Sequence, residues 1–248
     1  MRKYGFENEY GSSLEYGLKF LEYPTFSYGH EIVEETEIAG KENCHMEHTG
    51  CYEDTVITNS LEFTCNSLSE YESGMRKIRS WLKRTKKVIY TDLEEQYFVV
   101  KRVEIEEKRA FHCIGLLTVD FICEPAVYLV SGDQEYSISD VLSNPYSICH
   151  PLYIVSGHYG SYKLIVNGNT AEVYVSSSDG RNSTPTYIDT EKMMTYTENG
   201  MKNTYLTGDY ESLYLQEGEN TIETPKSTSG LSMGYTPTVK VIPRWRCI

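Results

Sequence analysis

Hydrophobic positions change period several times along the chain, and the clearest stretch runs from residue 67 to 125. Leu68, Tyr71, Met75, Ile78, Trp81 and Leu82 recur mostly three or four apart, which lines one face of a helix. Ser67, with Glu70 three residues on, offers a capping box at its start. Gly74 inside the helix costs about 1 kcal/mol relative to alanine, so the apolar stripe has to recover that by packing on a sheet. Strand-like segments follow at once: 88–90, 97–105 and 114–123. In the second, Tyr97, Val99, Val103 and Ile105 alternate with Phe98, Val100, Arg102 and Glu104, and Lys101 breaks the apolar face. In the third, Leu117, Val119, Phe121 and Cys123 share a face.

Upstream, residues 18–26 (interrupted by Pro24), 30–38 and 54–65 read as strands joined by polar loops; in the last, Val56, Leu61 and Phe63 alternate only partly. Downstream of Tyr128, Gly, Asn, Ser and Thr become frequent, and Ser131-Gly132-Asp133 reads as a linker. Tyr162, Leu164 and Val166 lead through Asn167-Gly168 into Ala171, Val173 and Val175, a strong hairpin signal. Further short strands are expected at 186–189, 213–215, 220–223 and 238–242, a spacing that suits an antiparallel sandwich. The expected division is 1–132 and 133–248, a mainly β protein with one helix.

Charge adds a second layer. The chain carries a net charge of −13, yet Arg76, Lys77, Arg79, Lys83, Arg84, Lys86 and Lys87 place seven cations in twelve residues. Three readings stand for this run. It is a solvated helix face, or the basic edge of a subunit contact, or a nucleic-acid site, and no helix-turn-helix, finger or RNP-like pattern accompanies it to support the last. In a subunit contact its acidic counterparts are Glu94, Glu95, Glu104, Glu106 and Glu107.

The residues 40–52 read as a glycine-containing loop that gathers Cys44, His45, His48 and Cys51, the one cluster of metal-ligand types. Cys44 and His45 are adjacent, whereas tight structural zinc sites draw ligand pairs from two separated knuckles, so the preferred reading is a polar surface loop without metal. The seven cysteines lack regular spacing and fit reduced thiols, with Cys113 and Cys123 as core residues. Tyrosines, 22 against 7 phenylalanines, suit half-exposed sheet faces and interfaces. No run of 18 apolar residues and no signal-peptide core occur, so membrane insertion and export are not expected, and synthesis in a cytoplasm is. His112, His150 and His158 are isolated, and no nucleophile elbow, phosphate-cradling loop or HExxH is present, so neither catalysis nor a cofactor is expected.

Several motifs carry a family resemblance. Trp81-Leu82, Asp92, Tyr97, Phe121, Cys123 and Pro125, in the runs MRKIRSWLKRTKKVIYTDLEEQYFVVKRVEIEEKR and LLTVDFICEPAVYL, resemble the distal tail protein (Dit) family of long-tailed siphophages. The loop at 40–52, Gly208-Asp209-Tyr210, the turn from Leu215 to Ile222 around Gly218 and Asn220, and the closing Pro243-Arg244-Trp245-Arg246 are similar to that family as well. Read for their chemistry alone, Gly218 permits positive φ at its turn, Asn220 can bond back to the backbone, and the ending is a last strand with an aromatic anchor whose arginines reach to solvent.

The resemblance implies an N-terminal tail-tube-like β-sandwich with a helix and a β-hairpin, and a C-terminal galectin-like β-sandwich. It further implies a structural, non-enzymatic protein in the distal virion tail: a homohexameric ring that joins the major tail tube protein to a tail-associated or hub protein of the baseplate. DNA would pass through the lumen without specific binding. The C-terminal domain would face receptor-binding proteins or cell-wall sugar. The rival reading is a carbohydrate-binding module using exposed aromatics such as Tyr205, Tyr210 or Tyr214.

Overall fold

A computed structural model describes residues 4–40, 42–138, 142–157, 160–175, 184–225 and 237–248. It is mainly β with one α-helix and divides into two compact units, residues 1–127 with 248, and 128–247.

In the first unit the strands are β1 (Phe6–Asn8), β2 (Gly11–Ser12), β3 (Leu18–Phe20), β4 (Thr25–Ser27), β5 (Glu31–Thr36), β6 (His45–Tyr52), β7 (Thr55–Thr64), β8 (Lys87–Tyr90), β9 (Gln96–Phe111) and β10 (Ile114–Leu129), with α1 at Leu68–Leu82. The main sheet runs β2-β1-β8-β9-β10-β7-β3, and β4 also pairs with β7. Helix α1 starts as its sequence requires: the Ser67 Oγ accepts from the Glu70 N–H at 3.2 Å. The Glu70 carboxylate reaches back to the Asn66 N–H at 3.1 Å, one residue before the usual capping-box partner. Tyr71, Met75, Ile78, Trp81 and Leu82 are buried, whereas Leu68, in the first turn, is exposed.

The stripe packs on the alternating faces of β7 and β10. In β10, Leu117, Val119, Phe121 and Cys123 are all buried, as period two demands. Strand β7 alternates just as regularly, but its core face is Thr55, Ile57, Asn59, Leu61 and Phe63, two of them polar. Asn59 is buried and fully bonded: Nδ2 donates to the Ile57 and Val119 carbonyls at 3.1 and 3.0 Å, and Oδ1 accepts from the Tyr90 hydroxyl at 2.7 Å. One amide thereby ties β7, β8 and β10 together in the dry core, where an unpaired amide would be costly. In β9 the core face switches from Phe98 and Val100 to Val103 and Ile105 across the exposed Lys101 and Arg102, so the single alternation expected there does not hold.

Trp81 is clamped at the far end of the helix. Its ring stacks on Tyr16 (4.3 Å between centroids) and Phe6 (5.5 Å), and its N–H donates to Asn8 Oδ1 at 2.8 Å. Near its middle the helix comes so close to β7 that a Cβ on Gly74 would lie 2.5 Å from Phe63 Cζ. The glycine is therefore a packing requirement, which explains a residue that helix propensity alone disfavours.

The second unit holds the expected hairpin, Gly160–Val166 against Asn169–Val175, with Val166 opposite Asn169. Asn167 (φ 50) and Gly168 (φ 84) occupy the turn with two positive φ angles, the requirement of a two-residue loop matched to strand twist. A second sheet orders Tyr136–Ser137, Thr238–Ile242, Leu152–Ser156, Thr186–Asp189, Met194–Thr197 and Gly200–Met201. Asn220 bonds back as its motif requires: its amide donates to the Gln216 and Gly218 carbonyls at 2.8 and 2.9 Å and accepts from the Gln216 N–H at 2.8 Å. Asn167 of the hairpin turn donates to Asn220 Oδ1 at 2.7 Å, which locks the two turns together.

Three expectations for this unit are corrected. Residues 213–215 form no strand: Glu211–Leu213 is a 3₁₀ turn, followed by an isolated bridge from Leu215 to Cys149. Ser131-Gly132-Asp133 belongs to a 3₁₀ turn, Val130–Asp133, whose Gly132 carbonyl accepts from the Arg244 N–H at 2.8 Å, so it is built into the unit. The closing arginines turn inward. Trp245 is buried as an anchor, but Arg244 grips the fully buried Asp189 through two hydrogen bonds of 2.8 and 3.0 Å and reaches Glu191 at 2.9 Å. Arg246 donates to the Ile148 carbonyl at 2.9 Å. Burial alone would push the Asp189 carboxyl up, yet the paired guanidinium outweighs it and holds the group below the usual carboxylate range.

Two outcomes follow from this packing. Gly74→Ala should lower the melting temperature even though helix propensity favours alanine by about 1 kcal/mol; a raised melting temperature would show that Phe63 can move aside. Asp189→Asn removes the charged partner beneath the part-buried Arg244, which keeps Glu191, and should cost about 2 kcal/mol in urea unfolding. Because the folded Asp189 value is lowered, its contribution is complete above the unfolded value of about 3.9 and fades as pH falls through the folded one. Wild type should therefore lose stability below that value faster than the asparagine variant, and parallel pH profiles would contradict the assignment.

Candidate functional site

Because its apolar stripe is consumed by the sheet, α1 turns its charged face outward. Arg76 and Lys77 are exposed there, and Lys83, Arg84 and Lys86 are exposed in the segment that follows the helix. Two of the seven cations serve the fold. Arg79 Nε donates back to the Met75 carbonyl at 3.2 Å and lies 3.8 Å from Glu107, and the Lys87 ammonium sits 3.3 Å above the centre of the Tyr97 ring. The Arg84 guanidinium covers Tyr10 at 4.5 Å. Tyr16, Arg76, Lys77, Ser80, Trp81 and Arg84 line an open groove of about 330 Å³ on this face. Its rim is basic, and its one part-exposed ring is Tyr16, stacked over the buried Trp81.

Among the acidic counterparts, Glu94, Glu95, Glu104 and Glu106 are exposed, with Glu104 3.0 Å from Arg102. Glu107 is engaged within its own chain. It accepts from the Tyr71 hydroxyl at 3.0 Å, and burial together with this carboxylate pushes the Tyr71 phenol up, so the proton stays in place. The structure thus brings Arg79 and Glu107 to each other within one chain.

The residues 40–52, expected as a loop, are in large part strand. Strand β6 pairs antiparallel with β5, with Val33 opposite His48, Glu34 opposite Glu47, Glu35 opposite Met46 and Thr36 opposite His45. Every residue of β6 is exposed. Strand β5 falls within the expected strand at 30–38, whereas β6, exposed on both faces, carries no periodic signal, which is why the pattern of hydrophobic positions missed it. Cys44 and Cys51 are exposed thiols, and His48 Nδ1 is 2.8 Å from a Glu31 oxygen. Among the described residues, no three His, Cys, Asp or Glu side chains gather where they could hold a metal ion.

In the second unit the three tyrosines proposed for sugar stacking are engaged internally. Tyr205 is buried and meets Tyr174 edge-on at 5.7 Å, the Tyr210 hydroxyl is 3.0 Å from Thr195 Oγ1, and Tyr214 stacks on His150 at 4.2 Å. Burial and the neighbouring Arg246 and Arg244 push His150 down to about 4, and the neutral ring accepts a hydrogen bond from Arg246 at 3.1 Å. His112 lies in the turn between β9 and β10, and His158 lies outside the described residues. Among the described residues no helix is long and apolar enough to cross a membrane.

No protein-family model matches the chain, and no curated protein matches it. Among solved structures it superposes on the Dit protein of phage SPP1, described there as a paradigm of the hub adsorption apparatus of phages infecting Gram-positive bacteria. The TM-score is 0.63 at 11% identity, over 97% of this chain and 98% of that one. Two structures of the phage p2 baseplate in its activated conformation, with Sr and with Ca, align over 97% and 100% of this chain and 97% and 98% of theirs, each with a TM-score of 0.47 and 11% identity. The SPP1 superposition establishes a shared fold along nearly the whole length.

Elemental analysis of the purified protein should find no stoichiometric zinc on the 44–51 segment. One zinc per chain, lost together with thermal stability in Cys51→Ser, would reverse that expectation.

Proposed function

We propose that this chain is a structural component of a phage tail tip of the Dit type, assembled as a homohexameric ring that joins the tail tube to the hub of the baseplate. The observation that carries the reading is the fold shared with SPP1 Dit over 97% of the chain, both units included. The motifs around Trp81-Leu82, Phe121 to Pro125 and Pro243 to Arg246 support it independently of the superposition.

In this reading the first unit forms the ring and the second, galectin-like unit faces outward to other tail proteins or to the host wall. The partners are a second copy, the major tail tube protein and a tail-associated or hub protein. DNA passes through the lumen, repelled by a chain of net charge −13 and bound nowhere specifically. The protein is made in a bacterial cytoplasm, acts in the virion tail and does no catalysis.

Closure of a ring from like subunits of −13 has to overcome mutual repulsion. A heterologous contact does so when a basic edge of one copy meets an acidic edge of the next, and the exposed face of α1 supplies the basic edge.

Negative-stain images of the full chain should show six-fold rings, whereas a fragment spanning 128–248 should remain a folded monomer. That fragment starts at 128 because Leu129 donates to the Trp245 carbonyl at 2.9 Å and Gly132 accepts from Arg244. Monomeric full-length protein at every concentration, or rings formed by the fragment alone, would overturn the assignment of roles.

A further inference from the structure

The hairpin β5–β6 breaks two rules of sheet construction at once. A two-stranded hairpin alone is marginal in water, and this one is exposed along all of β6 and most of β5. Glu34 also stands directly opposite Glu47, a like-charge pair that disfavours the strands it joins. Between residues 30 and 53 the sequence holds seven glutamates, Lys41 being its one Lys or Arg. Ile32, Ile38, Met46 and Tyr52 are exposed among these charges, at 43%, 40%, 53% and 39%. An element that violates local rules and presents apolar side chains amid an excess of negative charge is built to meet a cationic surface.

The same chain carries such a surface. The groove beside α1 combines Arg76, Lys77 and Arg84 with the half-buried ring of Tyr16. We propose that the acidic hairpin of one copy lies along the basic groove beside α1 on a second copy, with Glu34 and Glu47, which share one face of the hairpin, turned to Arg76, Lys77 and Arg84. This rests on the assembly reading above and names its contact. It replaces Glu107, which is engaged by Tyr71, as an acidic counterpart. The contact is heterologous, because hairpin and helix are different surfaces, so each copy both gives and receives one.

The test uses two full-length variants. One carries Glu34→Lys and Glu47→Lys; the other carries Arg76→Glu and Lys77→Glu, both at exposed positions. Mass photometry should find each alone dissociated where wild type assembles, while an equimolar mixture regains the assembly, since the positive hairpin of the first meets the negative helix of the second and the reverse pair survives as well. Rising salt should loosen both wild type and mixture. A mixture that stays dissociated, with both variants folded by circular dichroism, would overturn the docking, as would assembly of the hairpin variant alone at wild-type strength.

Should a reversal unfold the protein, the milder Glu34→Gln and Glu47→Gln pair still decides. It relieves the repulsion inside the hairpin yet should weaken assembly by about tenfold, and unchanged or tighter assembly would contradict the proposal. Stoichiometry separates the two readings. Dimers or open chains in wild type, with complementation intact, would remove the six-fold ring and keep the docking, whereas six-fold rings without complementation would do the opposite. A wild type that never self-associates would sink both.

Discussion

The seating of α1 on the sheet is the interaction on which the first unit depends. Near the middle of the helix Phe63 presses into the space left by Gly74, and at its C-terminal end Trp81 is held between Tyr16 and Phe6 with its N–H on Asn8. Between them Met75 and Ile78 are fully buried, each contributing roughly 1.5–3 kcal/mol. Such a clamp leaves the helix little freedom to roll. Its basic residues therefore occupy a fixed outward face, and a surface that must match another copy has to be fixed in this way before it can be specific.

Opposite solutions to burying polarity appear in the two units. In the first, the neutral amide of Asn59 joins three strands at no charge cost. In the second, the buried carboxylate of Asp189 is satisfied by the part-buried guanidinium of Arg244, so losing the arginine would leave a buried charge unpaired by it. The pair therefore fixes where the closing segment lies. Trp245 packs only in the position that the neighbouring Arg244 allows, and the Gly132 carbonyl holds the same backbone from the other side.

What could be read from the chain beforehand is what local pattern determines. Helix α1, strand β10 and the Asn167-Gly168 hairpin declare themselves because their periods and turn residues are set within a few positions. Where a residue's role depends on a partner far along the chain, the pattern misleads. Asn59 interrupts the apolar face of β7 and hides its alternation, since its partners lie on β8 and β10. Arg244 has the look of a surface residue until Asp189, 55 positions away, is brought beneath it. Of the proposed contact surface, the basic run was visible from composition, but the division of labour within it was not. Arg79 and Lys87 turn back onto the fold, and only the strand pairing of β5 with β6 brings Glu34 opposite Glu47.

A clamped helix and an unsupported hairpin place opposite ends of the stability scale in one unit, and the proposed assembly would join them. Hydrogen exchange on the full chain, dissociated by dilution and then assembled, measures this directly. Amides of α1, β7 and β10 should be protected in both states, while those of residues 31–52 should exchange rapidly in the dissociated chain and slow markedly on assembly. Equal protection of 31–52 in both states would contradict the account, since it would mean that the hairpin is stable by itself and has no partner in the assembled form.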